Sequence, residues 1–328
     1  MLGSVKGISQ FMRIPVMRSI ALLALSSVAA LAADASLVQM LPGSPRMVAG
    51  MNMQQSVNSP LGRYLLSQMK DDDQGLRKFM DATGFDPRRD LRELIVANYD
   101  GPTAAKTHSL IVAKGNFDTV RVRATLLKDH AVATAVGGFE MLSAKDGQGA
   151  VSFLDSSTAV AGDTAQVKDA LTKAGARLSA EHQARIAQMS TRYDAWIFTT
   201  TPMSSFAGRI ADQPGSQGLN SGQLLQGILT ANAGLKFGNT VTVDAEMTAR
   251  SPKDAQAMVD VFKFISSMLQ LQKENPDTKP EGLAALLDAM KVAASGNTVT
   301  MNFSVPEIEL EKVFDSSKSI KKARQGAI

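Results

Sequence analysis

The residues that could carry acid–base or metal chemistry are few and widely spaced in this sequence. His108, His130 and His182 are the only imidazole groups. They share no spacing that would bring two of them to one metal ion. Cysteine is absent, which excludes disulfide bonds, thiol catalysis and thiolate metal sites. The sequence therefore predicts no metal site, no cofactor and no active site based on histidine or cysteine.

Short catalytic motifs match the sequence only in part. Ser319 and Lys322 have S-x-x-K spacing, but a Ser–Lys pair needs a desolvated lysine, and the tail around them is polar. The three aspartates at 71–73 could offer oxygen ligands to calcium, but Gly75 is one position too early for an EF-hand loop and the closing glutamate is missing. Acids in the first turn of a helix explain this run better, because they face the positive end of the helix dipole.

Two further patterns have both a chemical and a structural interpretation. Met47, Met51 and Met53 could bind Cu(I) through their thioethers. Their spacing of two places them on one strand face, where methionines fill gaps in a core, and we expect this second role. The run DPRRDL, which begins at Asp86, could hold an anion. A capped turn with solvated arginines explains that run equally well.

A candidate ligand face lies in the second half of the chain. Strands that begin at Thr240 and Thr298 alternate between an apolar and a polar face. We expect the strand that begins at Asp194 to lie between them. Its Trp196 forms an aromatic platform if it points to the polar side and a core residue if it points to the helices. Burial is favoured, since large aromatic side chains dominate core energetics. The candidate residues are Trp196, Thr242, Asp244, Glu246, Thr300 and Asn302.

The elements that must position these residues alternate between strands and helices, in a pattern that occurs twice. The first half is predicted to have strands at 46–53, 92–99, 108–115 and 133–142, with helices from Ser59 and Asp118. The second half is predicted to have strands at 194–200 and 298–305, a hairpin at Gly238, and helices from Ser251 and at 282–292. The order βαββαβ is that of the split βαβ folds. The predicted class is α+β, with two tandem ferredoxin-like lobes, antiparallel sheets and helices mainly on one face.

The stretch MRSIALLALSSVAALAA at 17–33 is predicted to be an export signal. Its apolar run is shorter than the roughly 20 residues that cross a bilayer. Basic residues precede it and the small-x-small site Ala30-Leu31-Ala32 ends it, which is typical of a cleaved signal peptide. We expect cleavage after Ala32, a periplasmic or extracellular protein, and no transmembrane segment in the mature chain.

These patterns divide the chain into a signal peptide at 1–32, lobes at 33–175 and 176–317, and a basic flexible tail at 318–328. The formal net charge is +4, and three of the basic residues lie in the signal, so the mature chain is close to neutral. With one tryptophan, three tyrosines and no basic stripe, the sequence does not support nucleic-acid binding.

The order of six segments resembles a group of uncharacterised exported bacterial proteins. The resemblance covers nearly the whole mature chain, but it assigns no activity and no residue role. The segments are SPLGR, FDPRRDLRELIVA, GNFD, AVSFLDSSTAVAGDTAQVKDAL, VTVDAEMTARSPKDA and VTMNFSVP.

The sequence favours a non-catalytic exported protein over an enzyme. We expect a binding module or envelope scaffold whose partner is an envelope protein, a peptide or a glycan. The alternatives are a hydrolase with acids from separate segments and a carrier of amphipathic ligands. A pocket with two carboxylates about 5–10 Å apart would favour the hydrolase, and a dry apolar cavity would favour the carrier.

Overall fold

The computed structural model of the protein describes residues 33–63, 74–101, 107–173, 177–206, 226–271, 286 and 288–312. The predicted signal at 1–32, the aspartates at 71–73 and the basic tail at 318–328, with its S-x-x-K match, lie outside the described residues.

The described elements are single strands or runs of two to four strands, with helices between most of them. The strands are β1 (Met47–Asn52), β2 (Leu91–Asp100), β3 (Thr107–Gly115), β4 (Val132–Val136), β5 (Phe139–Ser143), β6 (Gly149–Phe153), β7 (Thr158–Asp163), β8 (Ala195–Thr199), β9 (Ile228–Lys236), β10 (Thr240–Ala249), β11 (Lys291–Ser295) and β12 (Thr298–Pro306). The helices are α1 (Ala35–Val38), α2 (Met53–Ser56), α3 (Gln74–Thr83), α4 (Pro87–Asp90), α5 (Thr119–Lys128), α6 (Thr164–Thr172), α7 (Ala180–Arg192) and α8 (Pro252–Leu271), with a 3₁₀ turn at Met203–Phe206.

One antiparallel sheet contains all twelve strands of the described residues, in the order β11-β12-β10-β9-β8-β1-β2-β3-β7-β6-β5-β4. From the middle outward the two halves follow the same order, β1-β2-β3-β7-β6 in the first and β8-β9-β10-β12-β11 in the second. The pairing of β1 with β8 joins them. The predicted α+β class with antiparallel strands is confirmed, and the sheet runs unbroken through both halves.

The strand neighbours differ from those of a ferredoxin-like lobe. In a split βαβ, a helix connects two parallel strands that have another strand between them. Here β1 pairs directly with β2 in antiparallel register, for example Val48 with Ala97. The strand that follows Asp194, β8, lies between β1 and β9, so its predicted place between β10 and β12 is wrong. The order of elements along a chain limits which strands can pair but does not choose among them.

Helices cover both faces of the sheet in the first half. Met141 of β5 belongs to a core cluster with side chains of α6 and α7, whereas its neighbour Leu142 packs with Val122 of α5. Successive strand residues point to opposite faces, so the prediction of helices mainly on one face is wrong here. In the second half, Val299 packs against α8 while the next residue, Thr300, is exposed.

Two segments of the chain fold differently from their predictions. The segment at 133–142 is a hairpin of β4 and β5 rather than one strand, because Gly137 and Gly138 adopt positive φ angles between them. Glycine adopts this conformation without steric cost. The predicted helix at 282–292 overlaps β11, whose Val292 pairs with Met301 of β12. Such short segments lack enough periods to separate helix from strand.

The DPRRDL run forms a self-contained turn. Asp86 caps α4 by accepting a hydrogen bond from the Arg88 N–H, and its carboxylate pairs with the Arg88 guanidinium. Arg89 pairs with Asp90 at 2.7 Å. Both arginines therefore bind acids of their own turn, which supports the structural interpretation of this run.

The methionines of the first strand belong to the core. Met51 and Met53 are buried in one cluster with Ala195 of β8, and Met47 is half-buried. Met53 begins α2 rather than continuing the strand. The core interpretation is confirmed for Met51 and Met53.

Candidate functional site

A row of polar side chains crosses the sheet where its two halves meet. Antiparallel pairing aligns Asn52 of β1 with Glu93 of β2, and Glu93 with Lys114 of β3. On the other side of β1, the Asn52 N–H donates to the carbonyl oxygen of Asp194 at 2.9 Å. Aligned residues of neighbouring strands present their side chains on the same face. These four residues therefore form one polar row.

The adjacent row on this face contains two aromatic rings that lie over glycines. Gly50 pairs with Trp196, and Trp196 pairs with Gly234. A Cβ on Gly50 would fall within 3.0 Å of the Trp196 indole, and one on Gly234 within 3.0 Å of the Tyr193 ring. A glycine inside a strand is typical of such close approach. The two glycines thus allow large rings to lie close to the sheet.

An open cavity of about 350 Å³ is lined by both rows. Its volume is at the lower end of the range for small-molecule sites. Tyr193, Trp196 and Ser190 of α7 are among the residues that line it. The charged lining residues are Asp34, Arg92, Glu93, Lys114 and Asp194.

Glu93 is a partly buried carboxyl group at an irregular point of the sheet. The β2–β3 register shifts between Leu91 and Glu93, and such bulges redirect side chains beside functional sites. The Glu93 carboxylate accepts the Asp34 N–H at 3.1 and 3.3 Å. Burial raises its pKa to about 7, the Asp34 N–H opposes this rise, and the Asp34 and Lys114 charges act in opposite directions. Glu93 can therefore exchange a proton near neutral pH.

Asp194 is the second buried carboxyl group, on the other side of β1. Its side chain accepts the Phe237 N–H at 2.9 Å, and the residue is 3% exposed. Burial raises its pKa to about 7, against the opposing effects of the Phe237 N–H and the Lys236 charge. Two strand spacings separate β2 from β8, so the backbones of Glu93 and Asp194 lie roughly 10 Å apart.

Asp34 lines the cavity, and its neighbour Ala33 is held close to it. The Ala33 N–H donates to Ser190 Oγ at 2.7 Å. Asp34 caps α1 by accepting the Ser36 N–H, and its carboxylate lies 3.6 Å from Lys114 Nζ. The hydrogen bond from Ser36 lowers the pKa of Asp34, with Lys114 contributing in the same direction against the effect of burial. Asp34 is therefore ionised and holds Lys114 at the cavity.

The polar members of the predicted ligand face lie on the same face of the sheet as this cavity. Asp244 of β10 pairs with Gly234 and with Asn302, and Glu246 pairs with Thr300. Glu246, Thr300 and Asn302 are exposed, whereas Asp244 and Thr242 are half-buried. The structure thus brings the five polar residues together on an open surface.

Trp196 lies on that same face but is not part of the open surface. It is 3% exposed, and it packs in a core cluster with Ile186 and Met189 of α7. Its ring stacks on Phe198 with centroids 5.9 Å apart. Strand β9 separates Trp196 from Asp244. The favoured core role is therefore observed, although Trp196 contributes to the cavity wall rather than to an exposed platform.

Tyr193 links the cavity to the polar surface. Its hydroxyl donates to Asp244 Oδ2 at 3.0 Å, and Arg192 Nη2 lies 3.2 Å from the same oxygen. Burial and this hydrogen bond raise the pKa of Tyr193 to about 12. The end of α7 is thereby fixed to β10.

Glu93, Asp194 and Lys114 were not predicted as site residues. The sequence features that could have indicated them are weak: Glu93 is an acid within the apolar run LRELIVAN, Asp194 comes immediately before a strand, and Lys114 lies at the end of one. None is specific alone, because polar residues at strand ends are common. Gly50 inside an alternating strand is the stronger signal.

The three histidines lie in different parts of the fold, and His130 is in the turn between α5 and β4. His108 of β3 lies 3.1 Å from Asp163, and His182 of α7 packs against Phe198. Within the ranges that the structure describes, no cluster of three or more histidine or acidic side chains could hold a metal ion. No helix in these ranges has the length and hydropathy to cross a membrane.

No family model and no curated protein matches this sequence. The chain is similar to solved structures of TP0453. Crystal form III has a TM-score of 0.49 and 9% identity, over 87% of this chain and 99% of that chain. Crystal form I has a TM-score of 0.47 and 9% identity, over 87% and 98%. Crystal form IV has a TM-score of 0.49 and 8% identity, over 84% and 95%. At such identities no residue role passes from those structures to this chain.

Proposed function

We propose that this protein is an exported, non-catalytic binding protein whose cavity at the β1–β8 junction holds a small polar ligand. The observation that supports this proposal is the open cavity of about 350 Å³, in which carboxyl groups, cations and aromatic rings converge. Convergent polar groups in a cavity with an apolar wall are typical of ligand sites.

The lining favours a ligand with separate donor and anionic groups, as in a short peptide. Glu93 and Asp194 offer carboxyl oxygens to an amine or amide, while Arg92 and Lys114 offer charge to a carboxylate. This charged lining favours a polar ligand over the amphipathic cargo of a carrier, because burying charges against lipid is costly.

A hydrolase is the second candidate, since two carboxyl groups line the same cavity. Acid–base catalysis by such a pair needs environments that hold one group protonated and the other ionised. Burial instead raises the pKa of both Glu93 and Asp194 to about 7. The roughly 10 Å between the two backbones is at the upper end of the range of about 5–10 Å expected of a hydrolase, so analysis of the products has to separate hydrolysis from binding.

Trp196 provides the test, because it is the only tryptophan and lines the cavity. We expect a saturable change in its fluorescence with short peptides, and no product by NMR. Glu93→Gln and Asp194→Asn should weaken the response at least tenfold. Glu181→Gln, at an exposed acid in the first turn of α7, is the matched control and should leave it unchanged.

Three results would contradict the proposal. Cleavage of the peptide would establish the hydrolase. Absence of a saturable response across peptides and glycans would exclude the binding site. A protein retained in the cytoplasm of its host would exclude export.

The division into lobes at 33–175 and 176–317 belongs to the same proposal. It is supported by the shared strand order of the two halves. Because β1 and β8 pair over five residue positions, we expect the lobes to unfold in one transition. Two separated calorimetric transitions would show lobes that are independent of this pairing.

A further inference from the structure

We propose that signal-peptide removal after Ala32 creates an α-ammonium group at Ala33 that binds Ser190 and Glu93 and completes the cavity. This inference rests on the export proposed above and describes the regulation of the same site. The amide of an unprocessed chain has one hydrogen and no charge, whereas the processed terminus has three hydrogens and a positive charge.

Hydrogen bonds already place this nitrogen at the cavity. The Ala33 nitrogen donates to Ser190 Oγ at 2.7 Å, and the next backbone nitrogen, that of Asp34, donates to both carboxylate oxygens of Glu93. Ser190 is itself buried. An ammonium group at Ala33 keeps the bond to Ser190 and has two further hydrogens to direct towards Glu93.

Packing on the following residues fixes the position of the nitrogen. The Ala33 side chain packs against the largest core cluster, and Leu37 of α1 is fully buried in it. Asp34 is held by the cap of α1 and by Lys114. The new terminus is therefore pre-organised and loses little conformational entropy when it forms an ion pair.

The charges around the cavity favour an added cation. Asp34, Glu93 and Asp194 are acidic, and Arg92 and Lys114 are basic, so acids exceed bases by one when all are ionised. The charge of Lys236, which does not line the cavity, opposes the rise that burial causes in the pKa of Asp194. A new ammonium group beside Glu93 favours the ionised form of that carboxyl group. Processing would thus shift Glu93 towards its ionised form at neutral pH.

The experiment compares three forms of the mature chain: a free amine at Ala33, an N-acetylated Ala33, and one extra glycine before Ala33. We expect the free-amine form to have the highest urea midpoint at pH 7, by roughly 0.5 M. We also expect the pKa of its α-amino group, measured by NMR, to rise by about one unit above the usual 7.7–8.0.

Substitutions show whether the difference in urea midpoint comes from the ion pair or from general packing. Glu93→Gln should abolish the difference between free and acetylated forms, and Ser190→Ala should reduce it. The exposed control Glu181→Gln should preserve it. Equal midpoints for the free and acetylated forms, or an ordinary α-amino pKa, would overturn the inference.

Two further measurements separate this inference from the proposed function. A first residue other than Ala33, found by N-terminal sequencing of exported protein, would overturn the inference even if the cavity binds a peptide. A stabilising amine in a protein that binds no peptide or glycan would support the inference and contradict the proposed function.

Discussion

The indole of Trp196 lies directly against the backbone of Gly50 on the neighbouring strand. The two residues are register partners in the β1–β8 pair, and a Cβ on Gly50 would fall well inside 3.0 Å of the ring. This contact lies at the junction of the two halves of the sheet. It determines both the packing of the core and one wall of the cavity.

Replacing Gly50 by alanine tests this contact. The added Cβ must displace the Trp196 ring, and overpacking of this kind costs about 1–3 kcal/mol. We expect a lower free energy of unfolding in urea and altered tryptophan emission. Gly238→Ala is the matched control, because the nearest atom to its Cβ would be 3.5 Å away. Equal losses in both variants would show that the indole does not lie against Gly50.

The fluorescence of Trp196 should report a buried ring. Since the residue is 3% exposed, we expect blue-shifted emission that resists quenching by acrylamide. Gly50→Ala should increase the quenching constant severalfold. Emission typical of tryptophan in water, in the unmodified protein, would contradict the burial of this ring.

Asp194 should make stability depend on pH. Its native pKa of about 7 exceeds the ordinary value of 3.8, so the native state binds more protons than the unfolded state between these values. Its contribution to stability is therefore greatest at low pH and falls as the pH rises towards 7. Allowing for water in the open cavity, we expect a loss on the order of 1–2 kcal/mol between pH 5 and 8.

Asp194→Asn should remove that part of the pH dependence. Urea unfolding at pH 5, 6, 7 and 8 measures the free energy of unfolding of both proteins. The difference between them should change steadily with pH, whereas Glu181→Gln should follow the unmodified protein. A difference that is constant from pH 5 to pH 8 would place the Asp194 pKa outside this window.

Replacing each of three phenylalanines by alanine should lower the free energy of unfolding by an amount that follows the burial of the ring. Phe198 is 0% exposed and stacks on Trp196, so Phe198→Ala should cost about 3–5 kcal/mol. Phe264 of α8 is 61% exposed, and Phe264→Ala should change stability by less than about 0.5 kcal/mol. Phe262 is half-buried, so its replacement should fall between these values, below the 3–5 kcal/mol expected of a fully buried ring. The ranking is measured by denaturant unfolding, and a loss at Phe264 as large as that at Phe198 would contradict it.

Much of the local structure could be predicted from the sequence. The alternation in β10 and β12, the helix from Ser251 and the capped turn at Asp86 all appear where local patterns indicate. Alternation, caps and turn residues act between neighbours in the chain, so a short segment contains the information that specifies them. The shared face of Asp244, Glu246 and Thr300 follows from the same alternation.

The candidate cavity could not be predicted in this way. Glu93 and Asp194 are separated by a hundred residues and meet only because β1 pairs with both β2 and β8. The αβ order is compatible with several pairings, and long-range packing selects one of them. The same selection placed β8 beside β1 rather than between β10 and β12.

The sequence by itself determined the α+β class, most strands and helices, and the faces on which their apolar residues lie. Only the tertiary structure decided which strands are neighbours, and therefore which polar groups meet. The physical reason is that hydrogen-bond pairing across a sheet is indifferent to side-chain identity, so strand partners are selected by the packing of the whole chain. The aromatic wall of Trp196 and Tyr193, the two buried acids and the nitrogen of Ala33 converge through that packing.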